Sequence, residues 1–124
     1  MDILLKRAYD RATITDGYRI LVDRLWPRGV KKSDLRLHSW EKELAPSTAL
    51  RKWFAHDVTR WSEFGIRYRE ELATPRARQL IKELIAEAKS APAITLIYAA
   101  RGTKHNEAVI LRGKIRRFTS RTGH

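Results

Sequence analysis

The most informative absence in this chain is cysteine, which does not occur among its 124 residues. That absence excludes disulfide bonds, thiolate metal sites and cysteine nucleophiles. Long apolar runs are also missing, since no stretch approaches the roughly 18 residues that a membrane span requires. Residues 1–7 lack the apolar core of a secretory signal peptide. Together these absences predict a cytoplasmic protein with no membrane segment.

Acidic residues are scarce: 14 acidic against 26 basic side chains give a formal net charge of +12 at pH 7. The imbalance is strongest in residues 101–124, which contain seven basic residues and one acidic residue. Such an excess fits a polyanionic partner, such as a nucleic acid. It also fits a solvated basic face that serves solubility alone. Composition leaves both interpretations open.

Glycine and proline are also few, at six and four residues, and no low-complexity segment or linker interrupts the chain. Hydrophobic residues make up 43% of the sequence, which is enough to build a core at this length. We therefore expect one domain over residues 1–118, followed by a short basic tail over residues 119–124.

The apolar pattern predicts an α/β fold. Strands are expected over residues 2–8, 18–25 and 94–100, the last being a continuous apolar run typical of a strand covered on both faces. The expected architecture is a small three-layer sandwich with a short, mostly parallel sheet, about four helices, and the second and last of these strands at its centre. Residues 27–46 look irregular, with Trp40 as their anchor. Caps and apolar stripes predict the helices over residues 47–55, 57–72, 74–88 and from about 103 onward.

Two arginines, Arg24 and Arg28, lie among large apolar residues at the end of the predicted second strand. Guanidinium groups in such surroundings are costly unless an anion meets them. One interpretation is a fork that binds the phosphate or carboxylate of a ligand. The other is an internal ion pair with a carboxylate of the protein, for which the candidates are Asp23, Glu43 and Asp57.

Trp26 and Pro27 stand between these arginines, and Gly29 follows them. The aromatic pair could wall a pocket in which a ring stacks, or it could plug the core at the strand end. In open α/β sheets, ligands bind beyond the carboxyl ends of the strands. The candidate ligand-binding residues here are therefore Arg24, Trp26, Arg28 and Gly29.

A second candidate cluster, Arg101, His105 and Asn106, follows the last predicted strand. A helix that begins near Thr103 would present free backbone N–H groups to an anion, and Arg101 would add positive charge. His105 could carry a proton near neutral pH, which makes it the candidate catalytic residue. In the alternative interpretation, Asn106 makes only local hydrogen bonds and His105 lies exposed.

The sequence indicates no metal centre and no cofactor. His56 and Asp57 are adjacent and do not share a helix face, and no third ligand follows at a suitable spacing, so Asp57 is more simply a helix cap. The last predicted helix could track a phosphate backbone, although no helix-turn-helix, zinc-finger or RNP pattern accompanies it. Its basic residues and those just before it are Lys104, Arg112, Lys114, Arg116, Arg117 and Arg121.

Four segments carry a resemblance to a known family: DGYRILVDRLWPRG at 16–29, WEKELAPST at 40–48, LRKWF at 50–54 and TLIYAAR at 95–101. With His105 and Asn106, they make the chain similar, up to about residue 118, to the YeaO-like group of bacterial domain-of-unknown-function family 488. Longer relatives in that family carry a cysteine after the last strand and a Cys-His-Arg triplet at the start of the helix. Both cysteines are missing here, so the resemblance implies no thiol chemistry, and the family has no established activity.

Three functions follow from these patterns. The first is a site for a small anionic ligand, such as a nucleotide or phosphorylated metabolite, at the strand ends; whether a reaction occurs there stays open. The second is a nucleic-acid-binding accessory protein that uses the basic last helix with little sequence preference. The third is an interaction module without a ligand. No pattern indicates the oligomeric state.

Overall fold

The computed structural model describes residues 1–122, and its centre is one sheet of four parallel strands in the order β1-β4-β2-β3. Every residue of β4 is buried, because β1 and β2 flank it and both faces are covered. The predicted α/β fold with a parallel sheet is confirmed, with the second and last predicted strands at its centre. The strands are β1 (Asp2–Arg7), β2 (Tyr18–Leu21), β3 (Ser39–Trp40) and β4 (Ala93–Tyr98).

Five α-helices connect or follow the strands. Ser47 and Thr74 cap two of them, as the sequence predicts, and each accepts a hydrogen bond from a backbone N–H of the first turn. None of the helices within residues 1–122 has the length and apolar content that crossing a bilayer requires. The helices are α1 (Lys32–Leu35), α2 (Thr48–Phe54), α3 (Trp61–Leu72), α4 (Pro75–Glu87) and α5 (Glu107–Thr122).

Side chains of the central strands alternate between two core clusters, one on each face of the sheet. On one face, Ile20 and Leu96 belong to the larger cluster, which residues of α2, α3, α4 and α5 complete. On the other face, Leu21 and Ile97 pack with Leu35 of α1. The sheet is therefore the middle layer between four helices on one side and α1 with its flanking loops on the other.

The segment 27–46, which the sequence predicts to be irregular, contains α1 and the short strand β3. β3 pairs with only Ile20 and Leu21 of β2. Trp40 is partly buried against the smaller core cluster, where it anchors the segment. Because β3 has only two residues, much of the segment between β2 and α2 forms loops.

β2 ends four residues earlier than predicted, at Leu21. Val22 still donates a backbone hydrogen bond of 3.0 Å to the carbonyl of Ile97, but residues 23–28 bend away from the sheet. The bend coincides with the end of β3, whose last residue, Trp40, pairs with Leu21, and β4 extends only one residue past Ile97, the other partner of Leu21. It turns the segment 23–28 into a loop at the carboxyl edge of the sheet.

α5 begins at Glu107, four residues later than predicted. Asn106 caps the helix, since its side-chain oxygen accepts a hydrogen bond of 3.3 Å from the N–H of Val109. α5 continues through Thr122, so the first four residues of the segment expected to be a tail are helical. The last two residues of that segment, 123 and 124, lie outside the described residues.

Candidate ligand-binding site

A cavity of about 310 Å³ lies beyond the carboxyl ends of β2 and β4. We call it the strand-end cavity. Its exposed residues form a rim, and the partly and fully buried ones form the walls and the floor. The rim consists of Tyr9, Leu25, Arg28, Arg51 and His56, and the interior consists of Asp23, Arg24, Trp26, Pro27, Pro46, Phe54, Phe64, Ala99, Ala100 and Glu107.

Arg24 is partly buried in this cavity and is held by backbone carbonyls rather than by a carboxylate. Its Nε donates to the carbonyl of Pro46 at 3.1 Å and its Nη2 to that of Ala45 at 3.3 Å. Nη1 donates no hydrogen bond within residues 1–122. The guanidinium is thus oriented by the loop before α2 and lies inside the cavity.

The ion pairs considered for Arg24 and Arg28 do not form in the described part of the chain. Glu43 pairs with Arg76 at 3.0 Å instead, and Asp57 lies 3.7 Å from Arg60. Asp57 also accepts a hydrogen bond from the N–H of Thr59, which makes it the cap that the sequence suggests. The carboxylates that could have neutralised the two arginines are therefore engaged elsewhere, apart from Asp23.

Trp26 combines the two roles that the sequence left open. Its ring meets Trp40 edge-on with 5.4 Å between the centroids, and its Nε1 donates to the carbonyl of Val30 at 2.7 Å. It packs against the smaller core cluster and also lines the strand-end cavity, next to the buried Pro27. The apolar wall is therefore rigid, because core packing and a hydrogen bond hold its largest ring.

Arg28 lines the strand-end cavity, whereas the next residue, Gly29, lines a neighbouring one. Arg28 is exposed at the rim, and its carbonyl accepts a hydrogen bond of 3.0 Å from the hydroxyl of Tyr9. Gly29 has a φ of +78°, does not line the strand-end cavity, and borders a neighbouring hollow that also contains Tyr9. The structure thus places Gly29 at a turn whose positive φ favours glycine.

The second predicted cluster borders a different, adjoining hollow. Arg101 and His105 line this hollow, and His105 meets the ring of Trp61 edge-on at 5.2 Å. The two spaces share the walls formed by His56 and the pair 99–100. The structure therefore brings the clusters side by side without bringing Arg101 into the strand-end cavity.

Asn106, the residue before α5, is almost fully buried and lines neither space. Its Nδ2 donates to the carbonyl of Gly102 at 2.9 Å while its Oδ1 caps α5. Both ends of the amide are used within the loop and the helix. This arrangement is the local hydrogen bonding of the alternative interpretation.

The sequence did not point to Arg51 and pointed to His56 only as a possible metal ligand, yet both residues line the rim. Ala55 and His56 end α2 with φ angles of 45° and 58°, a left-handed conformation that is costly for residues other than glycine. This backbone turns the chain so that His56 stands between the two hollows. Two successive left-handed residues leave no local sequence signal, because neither is glycine or asparagine.

Two carboxyl groups, which the sequence did not single out as a pair, also line the interior. The Asp23 carboxylate accepts a hydrogen bond of 2.8 Å from the backbone N–H of Ala99. Burial raises the pKa of Glu107 well above its ordinary value, and a hydrogen bond with Asp23 and the negative charge of Asp23 raise it further. Protonation of Glu107 is therefore more favourable here than in an isolated surface glutamate.

Buried tyrosines surround this pair. Burial raises the pKa of Tyr68 well above its ordinary value, and the charges of Glu107, Glu71 and Asp23 act in the same direction. Its hydroxyl donates to the carbonyl of Leu44 at 2.5 Å.

Within residues 1–122, no three histidine, cysteine or acidic side chains come together in a way that could hold a metal ion.

The comparisons with known proteins agree with the resemblance seen in the sequence. Residues 2–123 match a family model described as the inactive DUF488-N3 subclade. The chain is 50% identical over 111 residues to the uncharacterized protein YeaO of Escherichia coli, covering 90% of this chain and 94% of that protein. It is 36% identical over 112 residues to the uncharacterized protein Rv3073c of Mycobacterium tuberculosis, covering 90% and 95%.

No solved structure matches this chain. The family model spans both candidate clusters, and the two relatives each cover 90% of the chain. The expected family membership is therefore confirmed. This chain belongs to the YeaO-like proteins of the DUF488 family and matches its inactive DUF488-N3 subclade.

Proposed function

We propose that this protein binds a small anionic metabolite, of the nucleotide or phosphorylated-metabolite class, in the strand-end cavity. The observation that carries the proposal is Arg24: a partly buried guanidinium, oriented by two carbonyls, without a carboxylate partner in residues 1–122. A guanidinium in such a setting gains most from a phosphate or carboxylate. Arg28 and Arg51 at the rim add positive charge.

Binding without turnover fits the observations better than catalysis. The family model that the chain matches is described as inactive. The sequence contains no cysteine, and His105 lies in the adjoining hollow, edge-on to Trp61. A proton carried by His105 would have to reach a ligand across the shared wall, so we assign the cavity a binding role.

A thermal-shift titration tests the proposal. The probes are guanosine and adenosine monophosphate, ribose 5-phosphate and inorganic phosphate. A ligand at 100 times its Kd stabilises the folded protein by about 2.7 kcal/mol, which raises the Tm of a domain of this size by roughly 10 °C. We expect at least one organic phosphate to do so and inorganic phosphate to bind more weakly.

Two arginine variants make the test specific. Arg24→Ala removes the oriented guanidinium, and we expect the Kd of the best probe to rise about 10- to 100-fold, since a charged hydrogen bond contributes roughly 1.5–3 kcal/mol. Arg116→Ala removes the same charge from the exposed face of α5 and should leave the Kd unchanged. Equal effects of the two variants, or no shift with any probe, would contradict the proposal.

A second candidate function, nucleic-acid binding, is favoured by the crowding of cations on α5. Burial lowers the pKa of Arg112, and the positive charge of Arg116 lowers it further. Arg117 and Lys114 border a hollow of about 190 Å³ on the same helix. A phosphate backbone along this face would relieve the repulsion between these charges.

Charge reversals on α5, compared with Arg24→Ala, separate nucleic-acid binding from the binding of a small anion. Binding of a double-stranded DNA or RNA oligonucleotide should weaken steeply with salt and should be lost when Arg112, Arg116 and Arg117 are changed to glutamate. Arg24→Ala should leave it unchanged. Nucleic-acid binding that survives the three charge reversals would exclude α5 as its surface.

A further inference from the structure

The floor of the strand-end cavity is acidic, although its rim is cationic. Asp23 stands two residues beyond β2, and Glu107 is the first residue of α5. Both carboxyl groups line the same cavity as Arg24, Arg28 and Arg51. A simple anion would satisfy the arginines and leave the acidic floor unused. The cavity as a whole therefore fits a ligand with two chemically different ends.

The floor accepts hydrogen bonds more readily than it donates them. Asp23 uses Oδ2 for the N–H of Ala99, and hydrogen bonding with Asp23 contributes to the raised pKa of Glu107. The remaining lone pairs of both groups are acceptors. A ligand that fills the cavity must supply N–H or O–H donors to these oxygens, because burying them without partners is costly.

The surroundings of Asp23 and Glu107 influence the pKa of Glu107. Burial is the largest influence on the pKa of Glu107 and raises it, whereas its own backbone N–H at the helix N-terminus lowers it. Burial likewise raises the pKa of the neighbouring Tyr98. The other charged and titratable groups that line this space are Tyr9, Asp23, Arg24, Arg28, Arg51 and His56, and Tyr68 is close enough for the charges of Asp23, Arg24 and Glu107 to influence its pKa.

The walls between rim and floor are flat and apolar. Trp26 and Pro27 stand on the loop after β2, and Phe54 and Phe64 belong to α2 and α3. Phe54 and Phe64 stack on each other with 4.4 Å between their centroids, so they present a fixed surface. A planar ring matches such walls better than a flexible chain does. The volume of about 310 Å³ suits one mononucleotide and is too small for a dinucleotide.

We propose that the ligand is a mononucleotide whose base presents two adjacent N–H donors to Asp23 and Glu107, as guanine does, while its phosphate meets Arg24 and the arginines of the rim. The proposal rests on the proposed function, since it identifies the class of ligand for the same cavity. A carboxylate accepts the paired donors of guanine in a bidentate manner. The carboxyl pair thus determines specificity, and the arginines provide affinity for the phosphate.

The Kd values of three purine monophosphates and of ribose 5-phosphate test this assignment. Inosine monophosphate lacks the second donor of guanine, and xanthosine monophosphate replaces it with an acceptor. We expect guanosine monophosphate to bind about 10- to 100-fold more tightly than inosine monophosphate. Xanthosine monophosphate and ribose 5-phosphate should bind more weakly still.

Variants of the pair identify the residues that produce the preference. Glu107→Gln imitates the protonated carboxyl, so it should keep the preference for guanine. Asp23→Asn turns an acceptor of the floor into a donor and should abolish the preference, while binding of ribose 5-phosphate persists. If Asp23→Asn fails to fold, Glu107→Ala replaces it, because this variant leaves the bond between Asp23 and Ala99 intact.

The outcomes distinguish this inference from the proposed function. Equal Kd values for the three purine nucleotides, all raised by Arg24→Ala, would overturn the guanine assignment and leave anion binding in place. A preference that persists in both Asp23→Asn and Glu107→Ala would also overturn it. Binding that is insensitive to Arg24→Ala, or absent altogether, would overturn both.

Discussion

The carboxylate of Asp23 accepts a hydrogen bond of 2.8 Å from the backbone N–H of Ala99. The two residues are far apart in the chain but adjacent in the fold, because β2 and β4 are neighbouring parallel strands. This bond joins the loops that leave the two central strands. It therefore holds together the segments that carry Arg24 on one side and the wall at 99–100 on the other.

The bond between Asp23 and Ala99 should appear as a difference between two variants. Asp23→Asn keeps an acceptor oxygen for the N–H of Ala99, whereas Asp23→Ala leaves that partly buried donor without a partner. We expect Asp23→Ala to be less stable than Asp23→Asn by about 1–3 kcal/mol. Urea unfolding of both variants measures the difference, and equal stabilities would show that water replaces the carboxylate.

Gly17 and Gly29 both have positive φ angles, but their surroundings differ. A Cβ on Gly17 would lie 2.3 Å from the carbonyl oxygen of Ala93, whereas a Cβ on Gly29 would have nothing within 4 Å. We expect Gly29→Ala to lose about 1–2 kcal/mol through backbone strain alone. Gly17→Ala should lose more than about 3 kcal/mol, because backbone overlap adds to the strain.

Thermal unfolding of the two glycine variants measures this contrast. Because both substitutions place alanine at a left-handed position, Gly29→Ala is the matched control for strain. Similar melting temperatures for the two variants would mean that β2 and β4 separate locally to admit the extra methyl group.

Asp16 is the centre of a buried charge cluster at the opposite edge of the sheet. It is 4% exposed, pairs with Arg19 at 2.5 Å and with Lys6 at 3.0 Å, and its carbonyl accepts from Thr95. Arg19 is itself 3% exposed, and its Nη2 has no hydrogen-bond partner within residues 1–122. Asp16→Asn should therefore lose about 3–5 kcal/mol, since it leaves a buried guanidinium without a counter-charge.

The control for Asp16→Asn is Asp57→Asn. Asp57 lies 3.7 Å from Arg60 in an exposed pair, and asparagine caps a helix as well as aspartate does. This variant should lose less than about 1 kcal/mol. Equal losses in urea unfolding would mean that the buried cluster contributes no more than a surface pair.

Acid should destabilise the protein through Asp16. Burial alone would raise its pKa, but hydrogen bonds from Thr13, Lys6 and Arg19 outweigh burial and lower the pKa from 3.8 to about 2. The unfolded chain therefore takes up a proton before the folded one does. This stabilisation, about 2 kcal/mol, is present above pH 3.8 and is lost as the pH falls through about 2. Urea midpoints between these pH values should fall more steeply for the natural chain than for Asp16→Asn.

The contribution of Glu107 to folding stability should depend on pH in the opposite way to that of Asp16. Because burial raises its pKa above 4.5, the folded protein keeps a proton that the unfolded chain releases. Its contribution is most favourable below pH 4.5 and is lost as the pH rises toward the raised pKa. Relative to the natural chain, Glu107→Gln should therefore gain stability as the pH rises from about 4 to about 8. A stability difference that does not change with pH would contradict this.

Helices with strong local signals are predictable from the sequence. Ser47 and Thr74 are caps whose side chains bond to their own first turns, and the apolar stripe of α4 repeats every three or four residues. The buried strand β4 is equally visible as a continuous apolar run. In each case the interactions that decide the structure lie within a few residues.

The ends of β2 and α5 are not predictable in this way. β2 ends at Leu21, which pairs with the last residue of β3, and the sequence of residues 18–25 does not indicate how long β3 is. α5 starts four residues late because the buried Asn106 bonds both to Gly102 and to the first turn. These ends depend on partners and on burial that emerge only when the layers pack.

Some residues of the candidate site are also predictable from the sequence, whereas the contacts between distant ones are not. Arg24 and Arg28 are recognisable from the sequence as cations among apolar residues, and both line the cavity. The sequence does not show that Arg101 faces a separate hollow or that Glu107 meets Asp23. Contacts between residues so distant along the chain require the order of the strands.

By itself the sequence determined the class of the fold, the family, the caps and the presence of arginines near a strand end. All of these depend on residue type and on spacing over one or two turns. Only the tertiary structure decided that the cavity has a cationic rim and an acidic floor. The reason is physical: strand order β1-β4-β2-β3 places the loops after β2 and β4 side by side, and burial then raises the pKa of Glu107.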